Sequence, residues 1–120
     1  MLEPNFVKWL VQKFSIPVYA FSIPDNAPTT AWCYVNAGRG TATNYHDGSE
    51  IVSRTIRLTK SSKNIEKVFD DSTVHKYIKE ASSFADFKIL SARVTNQNDL
   101  FDEENQIYER TYSISIKYKE

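Results

Sequence analysis

From Tyr108 to Tyr118 the chain alternates with a period of two. Tyr108, Tyr112, Ile114, Ile116 and Tyr118 fall on one side, and Glu109, Thr111, Ser113, Ser115 and Lys117 on the other. A helix repeats every 3.6 residues and cannot separate these two sets, so the segment must be a strand with one buried face. A strand needs partners, and two more segments carry the same period. Val52, Ile56 and Leu58 alternate with Ser53, Thr55, Arg57 and Thr59; Leu90, Ala92 and Val94 alternate with Ser91, Arg93 and Thr95. Arg54 interrupts the apolar side of the first. Either a bulge re-aims it, or it stays near a strand end and reaches water.

Two further strands and two helices complete the pattern. Pro17 to Ser22 is rich in β-formers, and Thr30 to Val35 reads as its hairpin partner across the turn-forming cluster from Pro24 to Pro28. Residues 3 to 15 carry Phe6, Val7, Trp9, Leu10, Val11 and Phe14 at helical spacing, with Pro4 near the start, where a missing amide donor is harmless. A second helix is predicted from Ile65 to about Ser83, capped by Asn64, with Ile65, Val68, Phe69, Ile78, Ala81 and Phe84 forming its buried stripe. Gly38, Gly40 and Gly48, the only glycines, mark residues 36 to 49 as a long irregular segment, and the acidic stretch from Asn96 to Gln106 reads as a solvated hairpin loop. The fold class is therefore α+β: a mixed, mostly antiparallel sheet of about five strands packed by two main helices, with room for one parallel pair where the chain crosses through the second helix.

A chain of 120 residues, 41% of them hydrophobic, fits a single domain spanning 1–120 with one core. Fifteen basic residues balance fifteen acidic ones, so the molecule lacks the field that would favour direct nucleic-acid recognition. Its apolar stretches are too short to cross a bilayer, which needs about 20 residues, and the first residues do not resemble a secretion signal; the expected location is the cytoplasm.

The residue types that carry chemistry are present but not in working patterns. Gly38-Arg39-Gly40 is neither a phosphate loop nor a dinucleotide fingerprint. His46 with Asp47, and His75 with Asp70 and Asp71, match no metal-ligand spacing, and Asp99 to Glu104 lacks the order of a calcium loop. Cys33 reads as a small hydrophobe in a strand of the core, since nothing around it forms a nucleophile's signature. No catalytic residue, metal or cofactor is assigned. What remains is a charge contrast: Arg54, Arg57, Lys60, Lys63 and Lys67 in one region, Asp99, Asp102, Glu103, Glu104 and Glu109 in another. Unlike patches are what a head-to-tail assembly needs, and they are equally what an ordinary mixed surface shows.

Three segments carry a resemblance. Asn44 to Ser49 (Asn-Tyr-His-Asp-Gly-Ser) leads into the strand Ile51 to Lys60 and the helix start Ser61-Ser-Lys-Asn64. This resembles the Asp-Gly-Ser segment, strand and helix start of phage minor capsid proteins from the head-to-tail gene module of long-tailed phages of Gram-positive bacteria. The closing strand from Tyr108 to Tyr118 and Pro17-Val-Tyr19 are similar to the same group, whereas the Gly38-Arg39-Gly40 stretch departs from it. The resemblance implies a tail-terminator-like domain: a ring of six copies that caps the tail tube, ends its elongation and presents the tail to the neck of the filled head. It implies a virion protein at the tail-neck junction, assembled in the host cytoplasm, whose partners are itself, the tail tube protein and head-completion proteins. It implies no catalysis. Arg39, Tyr45, His46, Asp47, Arg54, Arg57, Asp102, Glu103 and Glu104 are then the candidate subunit or tube contacts, with residues 36 to 49 and 96 to 106 reaching the ring lumen or a neighbour. A head-completion or stopper protein of the same module is the nearest alternative, and a small α+β enzyme the one from another class.

Overall fold

A computed structural model describes residues 2–21, 23, 30–39, 43–44, 50–69 and 73–119, with backbone alone at 39, 43 and 44. The chain is α+β, as the alternation implies. Its elements are α1 (Leu2–Phe14), β1 (Val18–Ala20), β2 (Ala31–Arg39), β3 (Thr43–Asn44), β4 (Glu50–Ser62), α2 (Ile65–Val68), α3 (Thr73–Glu80), β5 (Ser83–Phe84), β6 (Phe87–Lys88), β7 (Ser91–Asp102) and β8 (Ile107–Lys119). The main sheet has the order β1-β2-β4-β8-β7, with β3 joined to the start of β4. All its pairings are antiparallel except β1 with β2.

The two most periodic segments form the centre. β4 pairs with β8 from Ile51↔Lys119 to Ser62↔Tyr108 without a break in register. Val52, Ile56, Leu58, Tyr112, Ile114 and Ile116 are all buried on one face, and the helices lie over it: Leu2, Phe6, Trp9 and Leu10 of α1 and Val74 and Ile78 of α3 join the same core. Each such large side chain contributes about 1.5–3 kcal/mol on burial. Aromatic rings hold the layers together. Phe84 packs edge-on against Phe6 and Trp9, both at 4.9 Å, while Phe14 meets Trp32 at 5.4 Å and Tyr77 at 5.6 Å. The molecule is elongated along the strands, with extents of 54 × 25 × 24 Å and a radius of gyration of 15.2 Å, against roughly 14 Å for a compact chain of its length.

Several expectations need correction. Val18–Ala20 does not form a hairpin with β2: Val18↔Trp32 to Ala20↔Tyr34 is a parallel ladder, begun by Trp32 N–H donating to Pro17 O at 2.8 Å. β1 has only three residues, about 10 Å, so its parallel pairing does not need the long crossover that full-length parallel strands require. The passage through the helices yields no parallel pair, because β8 inserts between β4 and β7. The second helix is not continuous. α2 is one turn, capped by Asn64 Oδ1 accepting from Glu66 N at 3.0 Å, and α3 starts again at Thr73. The intervening Asp-Asp-Ser run favours caps and turns over helix interiors. Ile65 is consequently 47% exposed, and Phe84 enters the core from the β5–β6 hairpin instead of a helix. Leu90 is exposed and Ile89 buried in its place, since the alternation begins only at Ser91.

Residues 36 to 49 are not uniformly irregular, for β2 runs on to Arg39 and Thr43–Asn44 pairs with Glu50 and Ile51. A register shift between Asn36 and Gly38 accompanies a φ of +140° at Gly38, a conformation that favours glycine. The Asn96 to Gln106 stretch is likewise mostly strand. β7 and β8 stay paired to Asp102↔Ile107, leaving only 103–106 as the turn.

Candidate interaction surface

The helices cover one face of the sheet, and among the described residues no helix covers the other, the open face. Along β8 the open face carries, from one end to the other, Lys117, Ser115, Ser113, Thr111, Glu109 and Ile107, since alternate residues leave opposite sides. Register then fixes their neighbours. Ser53 and Ser91 flank Lys117, Thr55 and Arg93 flank Ser115, and Arg57 and Asn96 flank Ser113. Thr59 and Asn98 flank Thr111, with Thr59 Oγ1 and Thr111 Oγ1 sharing a hydrogen bond at 2.9 Å. Ser61 and Leu100 flank Glu109, and Asp102 faces Ile107 at the tip.

This face is rich in short hydroxyls and divided by charge. Arg57, Arg93 and Lys117 are exposed in its first three rows, and no ion pair joins them to a described carboxylate. Glu109 and Asp102 stand in its last two. Past them Glu103 and Glu104 are exposed in the turn. The turn is built around Asp102: Oδ1 accepts from Glu104 N at 3.1 Å and Asn105 N at 3.3 Å, and Oδ2 from Asn105 Nδ2 at 2.9 Å. These bonds, that of the Asn105 side chain first, hold the Asp102 carboxyl below its ordinary pKa and keep it charged. Gln106, at φ +56°, closes the turn by donating to Glu103 O at 2.9 Å.

Arg54 does not belong to this surface. It sits on the helix-covered face, opposite Ile116, where its Nη2 lies 2.7 Å from Glu3 Oε1; Asn36 Nδ2 donates to the same oxygen at 3.0 Å. There is no bulge in β4; Arg54 pairs its Nη2 with Glu3 in the first turn of α1, while its buried Nε has no hydrogen-bond partner among the described residues. Asp99 also turns inward, accepting from Arg110 Nε at 2.7 Å and Nη2 at 3.1 Å. That bond raises the Arg110 pKa further above its ordinary value, and the guanidinium lies 4.7 Å over the Phe69 ring. Arg39 ends β2, opposite Arg54; Tyr45, His46 and Asp47 lie outside the described residues.

Arg93 and Lys117 are the residues that sequence reasoning did not join to Arg57. Each was legible as a polar-face position, but only strand order and register bring them together.

Other chemistry-bearing groups are dispersed. Cys33 is half-buried on the open face of β2, opposite Thr59, and burial followed by the charge of Glu109 pushes its thiol pKa up, away from thiolate reactivity. His75 Nε2 lies 2.7 Å from Gln97 Oε1, and its ring packs against Tyr112 at 5.8 Å. Among the described residues no three His, Cys, Asp or Glu side chains gather as a metal site would require. Among the described residues no helix is long and apolar enough to cross a membrane. No protein-family model matches the chain, and no curated protein matches it significantly.

Proposed function

We propose that this chain is a structural virion protein that forms a ring, of six copies, on the end of a phage tail tube, ending tube elongation and offering the surface for joining to the head. The observation that carries this reading is that the resembling segments are neighbours: Ile51 to Lys60 and Tyr108 to Tyr118 are the paired central strands β4 and β8. The open, charge-divided face built on these strands is the kind of surface a subunit uses for neighbours, because it is polar enough to be soluble alone.

The test is to mix the purified chain with tail tubes assembled from the tube protein of the same gene module, and to image them by electron microscopy. A terminator stops lengthening and appears as a ring at one tube end. Binding to head connectors in place of tube ends would assign the stopper role, and decoration of the whole wall would contradict both.

A further inference from the structure

We propose that the basic end of the open face binds the acidic tip of a second copy of this chain; the contact supplies the subunit joint of the ring-forming role and in that sense rests on it. Arg57, Arg93 and Lys117 form one cluster. Lys117 is one diagonal step from Arg93, and Arg57 lies two strands away, about 8 and 12 Å at ~4.8 Å between strands and ~3.4 Å per residue. Ser53, Thr55, Ser91, Ser113 and Ser115 lie among them, and their short hydroxyls leave the three cations standing clear of the sheet.

The acids that match this cluster are on the same chain but out of reach. Asp102 pairs with Ile107, eight residues along β8 from Ser115, roughly 27 Å away, well beyond a Debye length of ~8 Å at physiological salt. Asp102, Glu103 and Glu104 therefore cannot neutralise the cluster of their own copy. A second copy brings a turn already shaped by the Asp102 hydrogen bonds, with Glu103 and Glu104 exposed beside it, so little ordering opposes the contact. A nucleic acid fits less well: three cations per copy on a chain of zero net charge release few counterions.

The experiment is a charge swap read by sedimentation equilibrium. Wild-type chain should self-associate at ~50 mM salt, with Kd rising at least tenfold by ~500 mM. The variants R57E/R93E/K117E and D102K/E103K/E104K should each be monomeric at the same concentration, and their equimolar mixture should regain association within about threefold of wild type. The single-charge pair Arg93→Glu and Asp102→Lys repeats the test, with smaller shifts, should a triple variant not fold. A mixture no better than its components overturns the inference, as does wild type that stays monomeric to ~0.5 mM at low salt. So does a DNA duplex bound by wild type, lost in the basic-end variant and not restored by mixing. Restored association with tubes left unarrested would keep the contact and remove the terminator role. Tube-capping rings indifferent to the swap would do the reverse.

Discussion

Two faces of one sheet divide the labour in this chain. On the covered face of β8, Tyr112, Ile114 and Ile116 are at most 1% exposed beneath α1 and α3. On the open face Thr111, Ser113 and Ser115, one residue away in each case, meet no helix. The covered face is decided by hydrophobic burial, which disfavours a charge without a partner; Arg54 and Arg110 are there with Glu3 and Asp99, and Lys60 lies over the Trp32 ring. The open face carries short hydroxyls and the exposed charges of Arg57, Arg93 and Lys117, and these are the charges proposed to serve association. A single register step separates a residue that holds the fold from one on the face proposed to meet neighbours.

Adjacent substitutions should break this contrast most sharply if it is wrong. Ile114→Asp places an unpaired charge in the core and should cost about 4 kcal/mol or more, abolishing the cooperative thermal transition; Ser113→Asp should stay within about 1 kcal/mol of wild type by urea unfolding. A soluble, normally melting Ile114→Asp protein would reverse the assignment of faces.

The Glu3–Arg54 pair sharpens the comparison at intermediate size. Glu3→Ala strands a mostly enclosed guanidinium and should lose about 1–2 kcal/mol, and adding Arg54→Met should recover part of that loss in a double-mutant cycle. Additive losses would mean that the two side chains do not communicate.

The smallest effect concerns the tip. The folded-state pKa of Asp102 lies below its ordinary 3.8, so its contribution to stability is present above that value and is lost as pH falls through the folded pKa. Asp102→Asn should remove this acid-limb dependence while leaving the neutral-to-alkaline stability profile parallel to wild type. An unchanged acid limb would show that the turn is not held by its carboxylate.

What could be read beforehand follows the same division. β4 and β8 were legible because a buried face imposes a period that the side chains must display, and Tyr112, Ile114 and Ile116 occupy the core as their spacing requires. Asn64 was legible as a cap because its chemistry is local. The parallel direction of β1 was not, since no residue within a three-residue strand encodes the direction of its partner. Ile65 and Phe84 misled because a helix was extended through Asp-Asp-Ser on apolar spacing alone. Asn96 to Asp102 was hidden by polarity: its strand is exposed along most of its length, and the register shift between Val94 and Asn96 turns Asp99 toward Arg110. The candidate surface was half legible. Arg57 and the acids of the tip stood out by charge, whereas Arg93 and Lys117 acquire meaning only from the pairing of three strands.

Cys33 offers the most direct measurement of the central claim, that the open face is where copies meet. It is the only cysteine, half-buried on that face, and one diagonal step from Arg57 across the β2–β4 ladder. Its alkylation rate is to be measured in dilute chain and in chain associated at low salt, beside a Lys8→Cys/Cys33→Ser control whose thiol lies at an exposed position of α1. Association through the open face predicts that Cys33 slows at least tenfold on assembly while the α1 thiol keeps its rate. Equal Cys33 rates in the two states, with protection appearing on α1, would place the contact on the opposite side of the molecule and contradict the account.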